Sequence, residues 1–509
     1  MNNNRNIYSL LNALSAIGLT LVNGLLGLVT TRCILLHFGS DFNGLNSTAN
    51  QIINILLILE GGFTLASNVA LFSPLSVQDY SRVNEILSFT KNKFRKIGIV
   101  FLCIGIVIAI LYTLNVNSEL PQGFVFAVLV MTLLPQAANL FFATIYRVLL
   151  QTQQKEYVIN FFTMLTVGVG HIANIIFILS GAEMWMIRFV TMSFALLNSV
   201  LIVQYVKKRN AFINTNVNTN ITTIEGTNDV LIQKITGVIY NAAPIVFLSL
   251  SPTGGTVLAS VYAVYNNIFI MIKSILHGLI DAPRLSFGQM FTERKRAETW
   301  NVFKQYEYIA ICAIFIFLTT TCTLTLPFIN IYTAGISDII YVDPVIAILM
   351  VIITFVEMLH IPSGHLINMS GEFKIGKNIQ VIACAVLIVS MVIGGNLWGI
   401  YGMLMAILVT AISLAVMEIA YVHHTFFGNR LFDFLTMVIP FIFVGILVCY
   451  LEIKAGNTIT GYFSFFLYGI LYFTINIISA FLICWICHKN LFIAIIGRIT
   501  VLYKGLIKC

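Results

Sequence analysis

Residues Asn43 to Phe72 read NGLNSTANQIINILLILEGGFTLASNVALF and decide the fold of this chain. The stretch is long and apolar enough to cross a bilayer, which takes about 20 residues of helix. Its polar side chains recur at steps of three, four or six positions. At about 100° per residue they fall within an arc of roughly 120°. We therefore predict a membrane-spanning helix with one polar side, made by Asn46, Asn50, Asn54, Glu60, Thr64 and Asn68.

A second stretch, Val257 to Ala282, repeats this pattern 216 positions later. The shift places Asn46 on Tyr262 and Asn50 on Asn266. Two equivalent helices then carry their polar sides in the same register. This arrangement is expected if the two halves of the protein face each other across a water-filled cavity. The polar side of the second helix consists of Tyr262, Asn266, Lys273, His277 and Asp281.

The composition is that of an integral membrane protein. The 509 residues are 59% hydrophobic and only 9% charged, whereas soluble domains carry about 25% charged residues. The formal net charge of +8 does not indicate a nucleic-acid partner, because the basic residues flank apolar spans. The nine cysteines are scattered, so no disulfide framework is predicted. The first span is too long for the apolar core of a cleaved signal peptide, and we expect it to remain as an anchor.

The apolar runs predict fourteen spans. Alternate loops hold 24 of the 28 Lys and Arg residues, so the positive-inside rule places both termini in the cytoplasm. All loops on the other side are short, which argues against an extracytoplasmic catalytic domain. The spans cover about residues 8–36, 43–72, 94–114, 121–150, 157–180, 184–206, 230–250, 255–282, 303–331, 343–368, 375–394, 397–422, 432–451 and 459–486.

The longest inner linker separates two groups of six spans. Because six is even, the two groups share one orientation and would be related by an axis along the membrane normal. We predict an all-α protein with two pseudo-symmetric six-helix bundles and two extra C-terminal helices. Its parts are the first bundle, residues 1–206; the cytoplasmic linker, 207–229; the second bundle, 230–425; and the last two helices with the tail, 426–509.

Three charged residues lie deepest in the predicted spans: Glu60, Lys273 and Glu357. A charge at mid-membrane costs about 2.5–3.5 kcal/mol on insertion scales, so each needs a partner or water. We expect Glu60 and Lys273 to line one cavity; the alternative is a static ion pair that joins the halves. Glu357, close to Pro362, either functions in transport or is buried in the second bundle. The candidate coupling residues are Glu60, Glu357 and Asp281.

Arginines near the span ends suggest contacts with phosphate, because a guanidinium group binds phosphate through two hydrogen bonds. Arg284 and Lys273 on one helix would provide a path for a diphosphate. Arg32 and Arg188, at outer span ends, are expected to snorkel to lipid headgroups; the alternative is substrate binding, for which Arg32 is the candidate. Arg147 and Arg284 lie at inner span ends, where positive-inside topology also accounts for them. Asn23 in the first span joins the polar cavity wall, with helix–helix hydrogen bonding as the alternative. The sequence predicts no catalytic residue, metal site or cofactor.

Several segments resemble the bacterial polysaccharide-repeat flippases, the Wzx-type O-antigen, capsule and teichoic-acid transporters of the MATE-like (MOP) superfamily. The similar segments are Arg32 with HFGSDFNGL at 37–45, then LEGG at 59–62, and Pro74 with the basic helix at 82–96. The resemblance implies a central cavity and an undecaprenyl-diphosphate-linked oligosaccharide as cargo. It also implies coupling to H⁺ or Na⁺, and an acidic residue at the position of Glu60. Fourteen spans is also the count in peptidoglycan-precursor flippases.

The sequence therefore favours a flippase for a polyprenyl-diphosphate-linked oligosaccharide in the bacterial cytoplasmic membrane, used in surface polysaccharide biosynthesis such as that of lipopolysaccharide. Membrane lipids and other polysaccharide-assembly membrane proteins would be its partners. One alternative is a cation-coupled multidrug or small-molecule exporter, which would have a narrower, more aromatic and more acidic cavity. A second is a membrane polysaccharide polymerase or ligase, and a third is a structural scaffold, which leaves the paired polar sides unexplained.

Overall fold

The long helices follow the apolar runs of the sequence closely in a computed structural model of the chain. The structure describes residues 2–60, 62–210, 212–217, 228–252, 254–281, 296–455 and 459–497. Within these ranges every regular element is a helix. The chain divides into two compact units, Met1–Ala263 with Gly335–Ile339, and Val264–Ala334 with Ile340–Cys509.

In the described ranges, the first unit contains eight helices and the start of a ninth, which belongs mainly to the second unit. Its apolar core contains Phe42, Phe94 and Phe101, all fully buried. Asp79 caps one of its helices by accepting a hydrogen bond from the Arg82 N–H (3.0 Å). The helices are α1 Asn2–Leu56, α2 Phe63–Ser76, α3 Tyr80–Asn115, α4 Gln122–Ala138, α5 Thr144–Thr152, α6 Glu156–Leu179, α7 Met184–Arg209, α8 Asn228–Ser249 and α9 Gly255–Asp281.

Among the residues that the structure describes, the second unit contains most of α9 and six further helices. Its core includes the fully buried Phe303, Tyr308 and Phe441. The last two helices pack against α10, where the buried Glu452 accepts hydrogen bonds from Thr323 (2.7 Å) and Asn476 (3.2 Å). The helices are α10 Arg296–Tyr332, α11 Pro344–Leu359, α12 Ile361–Met369, α13 Phe373–Ala420, α14 Leu431–Ala455 and α15 Tyr462–Cys487.

The predicted multi-span, all-α fold is confirmed. The described part of the chain has 11 helical segments long and apolar enough to cross a membrane. Two of them, of 50 and 54 residues, contain a bend, at Gly39 (φ 81°) and at Gly399 (φ 57°), and each is long enough for two crossings. Counting their arms separately and adding α8 gives the fourteen helices that the sequence predicts.

The first polar stretch is broken, which the helical pattern did not predict. The α-helix ends at Leu56, a 3₁₀ turn covers Leu57–Glu60, and α2 begins at Phe63. Gly62 has a left-handed backbone (φ 54°), which glycine adopts without a Cβ clash. The equivalent Gly278 lies inside the continuous helix α9. The second glycine of the Gly61–Gly62 pair thus allows a bend that has no counterpart in α9.

The two units do not coincide with the predicted bundles, because α8 and the beginning of α9 pack with the first unit. Compactness and internal repeats are different properties of a chain, so the repeat boundaries at residues 206 and 230 stay a prediction.

Candidate functional site

The helix break opens onto a cavity of about 430 Å³ in the first unit. We call it the Glu60 cavity. One wall is the end of α1 with its 3₁₀ turn, and the other is α8. Its polar lining consists of Gln51, Asn54, Glu60, Lys234 and Asn241. The break positions Glu60, because the 3₁₀ turn gives this side chain a direction that a continuous helix would not.

Glu60 is half-buried and has two neighbours that explain how a carboxylate is tolerated there. Thr64, one turn later, donates a hydrogen bond to it. Arg147 on α5 interacts with it electrostatically. In the same cavity Asn54 donates to Gln51 (3.0 Å). The carboxylate therefore has both a hydrogen-bond donor and a cation within its own unit.

The other polar residues of the first stretch have different environments. Asn46 is 8% exposed, and its Oδ1 has no hydrogen-bond partner among the described residues. Asn50 is exposed. Asn68 donates to Gln151 and accepts from Thr152, both at 3.2 Å. Of the predicted polar side, Asn54 and Glu60 thus line the Glu60 cavity, whereas Asn68 bonds to the neighbouring helix α5.

A second polar cavity, of about 320 Å³, lies inside the first unit between α4, α5, α6 and α7. We call it the Arg147 cavity. Positive-inside topology accounted for Arg147 as a residue at the inner end of a span, but the structure places it in this lining. Four polar atoms of the lining have no hydrogen-bond partner among the described residues: Asn139 Oδ1, Arg147 Nε, Asn174 Oδ1 and Asn198 Oδ1. Leaving each unpaired costs about 1–3 kcal/mol, so the cavity is suited to water or a polar ligand.

Asn23 reaches the same cavity through His171. The His171 ring lies 3.4 Å from Asn23 Oδ1 and 3.0 Å from Thr30 Oγ1, both on α1. A hint of this cavity was present in the sequence, because Thr166, His171 and Asn174 on α6 and Thr191 and Asn198 on α7 are polar residues within apolar spans. Without tertiary contacts, nothing in the sequence showed that the two helices turn these residues toward each other.

In the second unit, Lys273 on α9 forms an ion pair with Glu357 on α11 (3.3 Å). The two side chains are 18% and 10% exposed, so the pair is shielded from solvent. Each deep charge thereby has the partner that its burial requires. The expectation that Lys273 and Glu60 line one cavity stays a prediction. Nearer the start of α9, two further residues of the predicted polar side, Tyr262 and Asn266, are buried and half-buried, respectively.

The lower part of α9 contributes to a cluster of titratable residues. Asp281 lies 3.5 Å from His277 Nδ1 and 3.2 Å from His365 Nε2. The other ring nitrogen of His365 lies 2.9 Å from the hydroxyl of Tyr306. The sequence predicted His277 and Asp281 on the same side of one helix, which the i,i+4 contact confirms, but not that His365 would join them.

The arginines at the span ends differ from one another. Arg188 is 7% exposed and donates a hydrogen bond to Thr132, so the prediction that it snorkels to lipid headgroups is wrong. Packing between α4 and α7 gives it a protein partner instead. Arg32 is half-buried on α1. Arg284 lies outside the described residues, so its predicted phosphate path with Lys273 stays a prediction.

Similarity to known proteins is found in solved structures. No family model matches the sequence, and no curated protein matches it. The chain is similar in structure to the lipid II flippase MurJ in an inward closed conformation, with a TM-score of 0.62 and 14% identity over 91% of this chain and 98% of that one. It is also similar to an inward-facing multidrug resistance MATE family transporter of the MOP superfamily, with a TM-score of 0.59 and 13% identity over 79% of this chain and 92% of that one. At such identities the likeness shows the fold. This multi-pass membrane protein therefore shares the fold of MOP-type transporters.

Proposed function

We propose that this protein is a flippase that moves a lipid-diphosphate-linked oligosaccharide repeat unit from the inner to the outer leaflet of a bacterial cytoplasmic membrane by alternating access. The observation that carries the proposal is the Glu60 cavity. Its volume of about 430 Å³ lies within the usual range of small-molecule sites, about 300–1,000 Å³. Its carboxylate, amide and ammonium groups are suited to bind sugar hydroxyls.

The lining of this cavity favours an oligosaccharide over a hydrophobic cation. Among its described lining residues none is aromatic, and one acidic group, Glu60, is accompanied by one cation, Lys234. A site for hydrophobic cations is expected to offer aromatic faces, which attract cations through their quadrupole. The fold supports transport in general, because MurJ is a lipid II flippase and the MATE protein a multidrug resistance transporter. It gives no support to the polymerase or ligase alternative.

Charge compensation suggests how the cargo and a coupling ion would act in one cycle. Lys273 and Glu357 neutralise each other in this structure, and the diphosphate of the cargo would compete with Glu357 for the ammonium group. The released Glu357 would then take up H⁺ or Na⁺. In the first unit, the Glu60 carboxylate would likewise exchange its interaction with Arg147 for an interaction with the cargo.

The test is a translocation assay with purified full-length protein in liposomes. The probes are a polyprenyl-diphosphate disaccharide and phosphatidylcholine, each carrying a dithionite-quenchable fluorophore, with and without an imposed H⁺ or Na⁺ gradient. A flippase makes nearly all of the first probe accessible to external dithionite, whereas the second is quenched only in the outer leaflet. We expect Glu60→Gln to abolish this activity, and Glu119→Gln, at an exposed glutamate outside the cavity, to leave it unchanged.

Two outcomes would contradict the proposal. One is wild-type protein that leaves the inner-leaflet disaccharide probe protected under every gradient. The other is accumulation of a hydrophobic cation such as ethidium without movement of the disaccharide probe, which would establish the exporter alternative.

A further inference from the structure

A third cavity, of about 470 Å³, lies where the first unit meets the start of the linker. We call it the basic pocket. It is enclosed by α3, α5, α7, the turn before α5 and the segment after α7. Its charged lining residues are Lys91, Arg95 and Lys207, and among the described lining residues none is acidic. All three cations lie at the end of the helices that the charge pattern predicts to be cytoplasmic.

The positive charges of this pocket have no carboxylate to balance them within the described residues. Arg95 and Lys207 both act electrostatically on Lys91. Lys91 Nζ donates to Asn216 Oδ1 (2.8 Å) and Thr215 Oγ1 (3.0 Å), which are neutral acceptors. Like charges held together repel unless an anion joins them. The arrangement therefore favours an anion from outside the chain.

One wall of the basic pocket is apolar and includes an exposed phenylalanine. A π-helical turn, Asn139–Ala143, inserts an extra residue between α4 and α5, and such turns frequently occur at functional sites. Phe141 from this turn packs over Gly98, where a Cβ would lie only 3.2 Å from the ring. Phe142 beside it is 63% exposed. A ligand in the pocket would thus meet cations on one side and an apolar surface on the other.

Tyr146 also lines the basic pocket. The Nζ of Lys207 lies 5.9 Å from the centre of the Tyr146 ring, so a cation–π contact holds this lysine at the rim. Arg95 and Lys207 form no ion pair within the described part of the chain. Their donors are available to an incoming phosphate, which an arginine binds through two hydrogen bonds.

We propose that the basic pocket binds the phosphate of an anionic phospholipid of the inner leaflet, with its acyl chains along Phe142. A soluble phosphate or the diphosphate of a cargo lipid is also an anion, but the apolar wall favours a molecule with acyl chains over a soluble anion. This site is separate from the Glu60 cavity and does not depend on which cargo is transported. Since Lys91 holds Thr215 and Asn216, the bound lipid also stabilises the start of the linker.

The experiment measures lipid retention by native mass spectrometry of the purified full-length protein titrated with phosphatidylglycerol or phosphatidylcholine. We expect preferential retention of phosphatidylglycerol. The double variant Arg95→Gln/Lys207→Gln should weaken this binding about thirtyfold, because each basic side chain near an anionic lipid contributes about 1 kcal/mol. The double variant Arg95→Lys/Lys207→Arg keeps both charges and should retain binding.

The matched control is Lys93→Gln/Lys96→Gln on the same helix, at exposed lysines that do not line the pocket. Equal losses in the two neutralised doubles would show a general surface-charge effect and overturn the proposal. So would unchanged binding by the Arg95→Gln/Lys207→Gln protein. Displacement of the lipid by inorganic pyrophosphate, with glycerol phosphate as the comparison, would identify a diphosphate site instead and overturn the assignment to a phospholipid.

Discussion

The ion pair between Lys273 and Glu357 provides the sharpest test of how the second unit is built. Lys273→Met keeps the aliphatic stem and removes the charge, so it leaves the Glu357 carboxylate unpaired. Glu357→Gln keeps the shape and leaves the ammonium group unpaired. The double variant Lys273→Met/Glu357→Gln leaves neither charge.

The magnitudes follow from the burial of the pair. Its side chains are 18% and 10% exposed, and removing one partner of a buried pair costs about 3–5 kcal/mol. We expect each single variant to lose about 3 kcal/mol, at the lower end because some exposure remains. Replacing both charges by neutral groups is often close to neutral. Because the two single losses of about 3 kcal/mol both disappear in the double variant, the double-mutant cycle should give a coupling energy of about 6 kcal/mol.

The assay combines unfolding in mixed micelles with translocation in liposomes. If the pair is only structural, the double variant recovers both stability and transport. If Lys273 binds the cargo, the double variant recovers stability alone. We expect the second result.

The exposed pair Arg82–Glu85 (2.7 Å, 51% and 31% exposed) is the control for the cycle. Its removal should change the free energy of unfolding by no more than about 0.5 kcal/mol. Additive losses at Lys273 and Glu357 would refute the coupling that we infer from their contact. Full transport by the stable double variant would remove both residues from the transport mechanism.

Three further predictions concern the helix break at Gly62, the packing of Gly44 and the role of Arg147. Gly62→Ala should destabilise the protein by about 1–2 kcal/mol, because it places a Cβ in a left-handed backbone. Gly278→Ala lies inside a helix with open space around it and should stabilise the protein by about 0.5–1 kcal/mol. Thermal unfolding of both variants measures these changes. Gly44→Ala should prevent folding of the first unit, since its Cβ would overlap a backbone carbonyl at the start of α9. The control is Gly123→Ala, whose Cβ would have nothing within 4 Å. Size-exclusion chromatography compares the folded fraction of the two variants. Arg147→Gln should lower translocation at least about tenfold, the loss expected for a hydrogen bond to a charged group; an unchanged rate at equal protein level would exclude a role for its guanidinium group.

Local sequence was sufficient to predict the membrane spans and to identify some of the buried charged residues. The charges at Glu60, Lys273 and Glu357 were identified because each is isolated among apolar residues, and such residues need partners wherever the chain folds. The partners themselves were not predictable. Glu357 lies 84 positions from Lys273, and no local pattern links them.

The Arg147 cavity shows a different limit. Arg147 has the same sequence context as any basic residue at an inner span end, so positive-inside topology explained it fully. Its place in a polar cavity depends on the way α5 packs against α6 and α7, which brings Asn174 and Asn198 near it. Similarly, the helix break at Gly62 was hidden because the polar pattern continues across it in register.

The amino-acid sequence by itself determined that the chain spans the membrane, where its helices run and which residues are too polar to face lipid. These properties depend on transfer from water to hydrocarbon, which acts on each segment separately. Tertiary structure decided which polar residues meet: Lys273 with Glu357, Asn68 with Gln151, and Lys91 of the basic pocket with the beginning of the linker. The physical reason is that lipid does not drive helices together by hydrophobicity, so specific packing and hydrogen bonds between distant segments choose the partners.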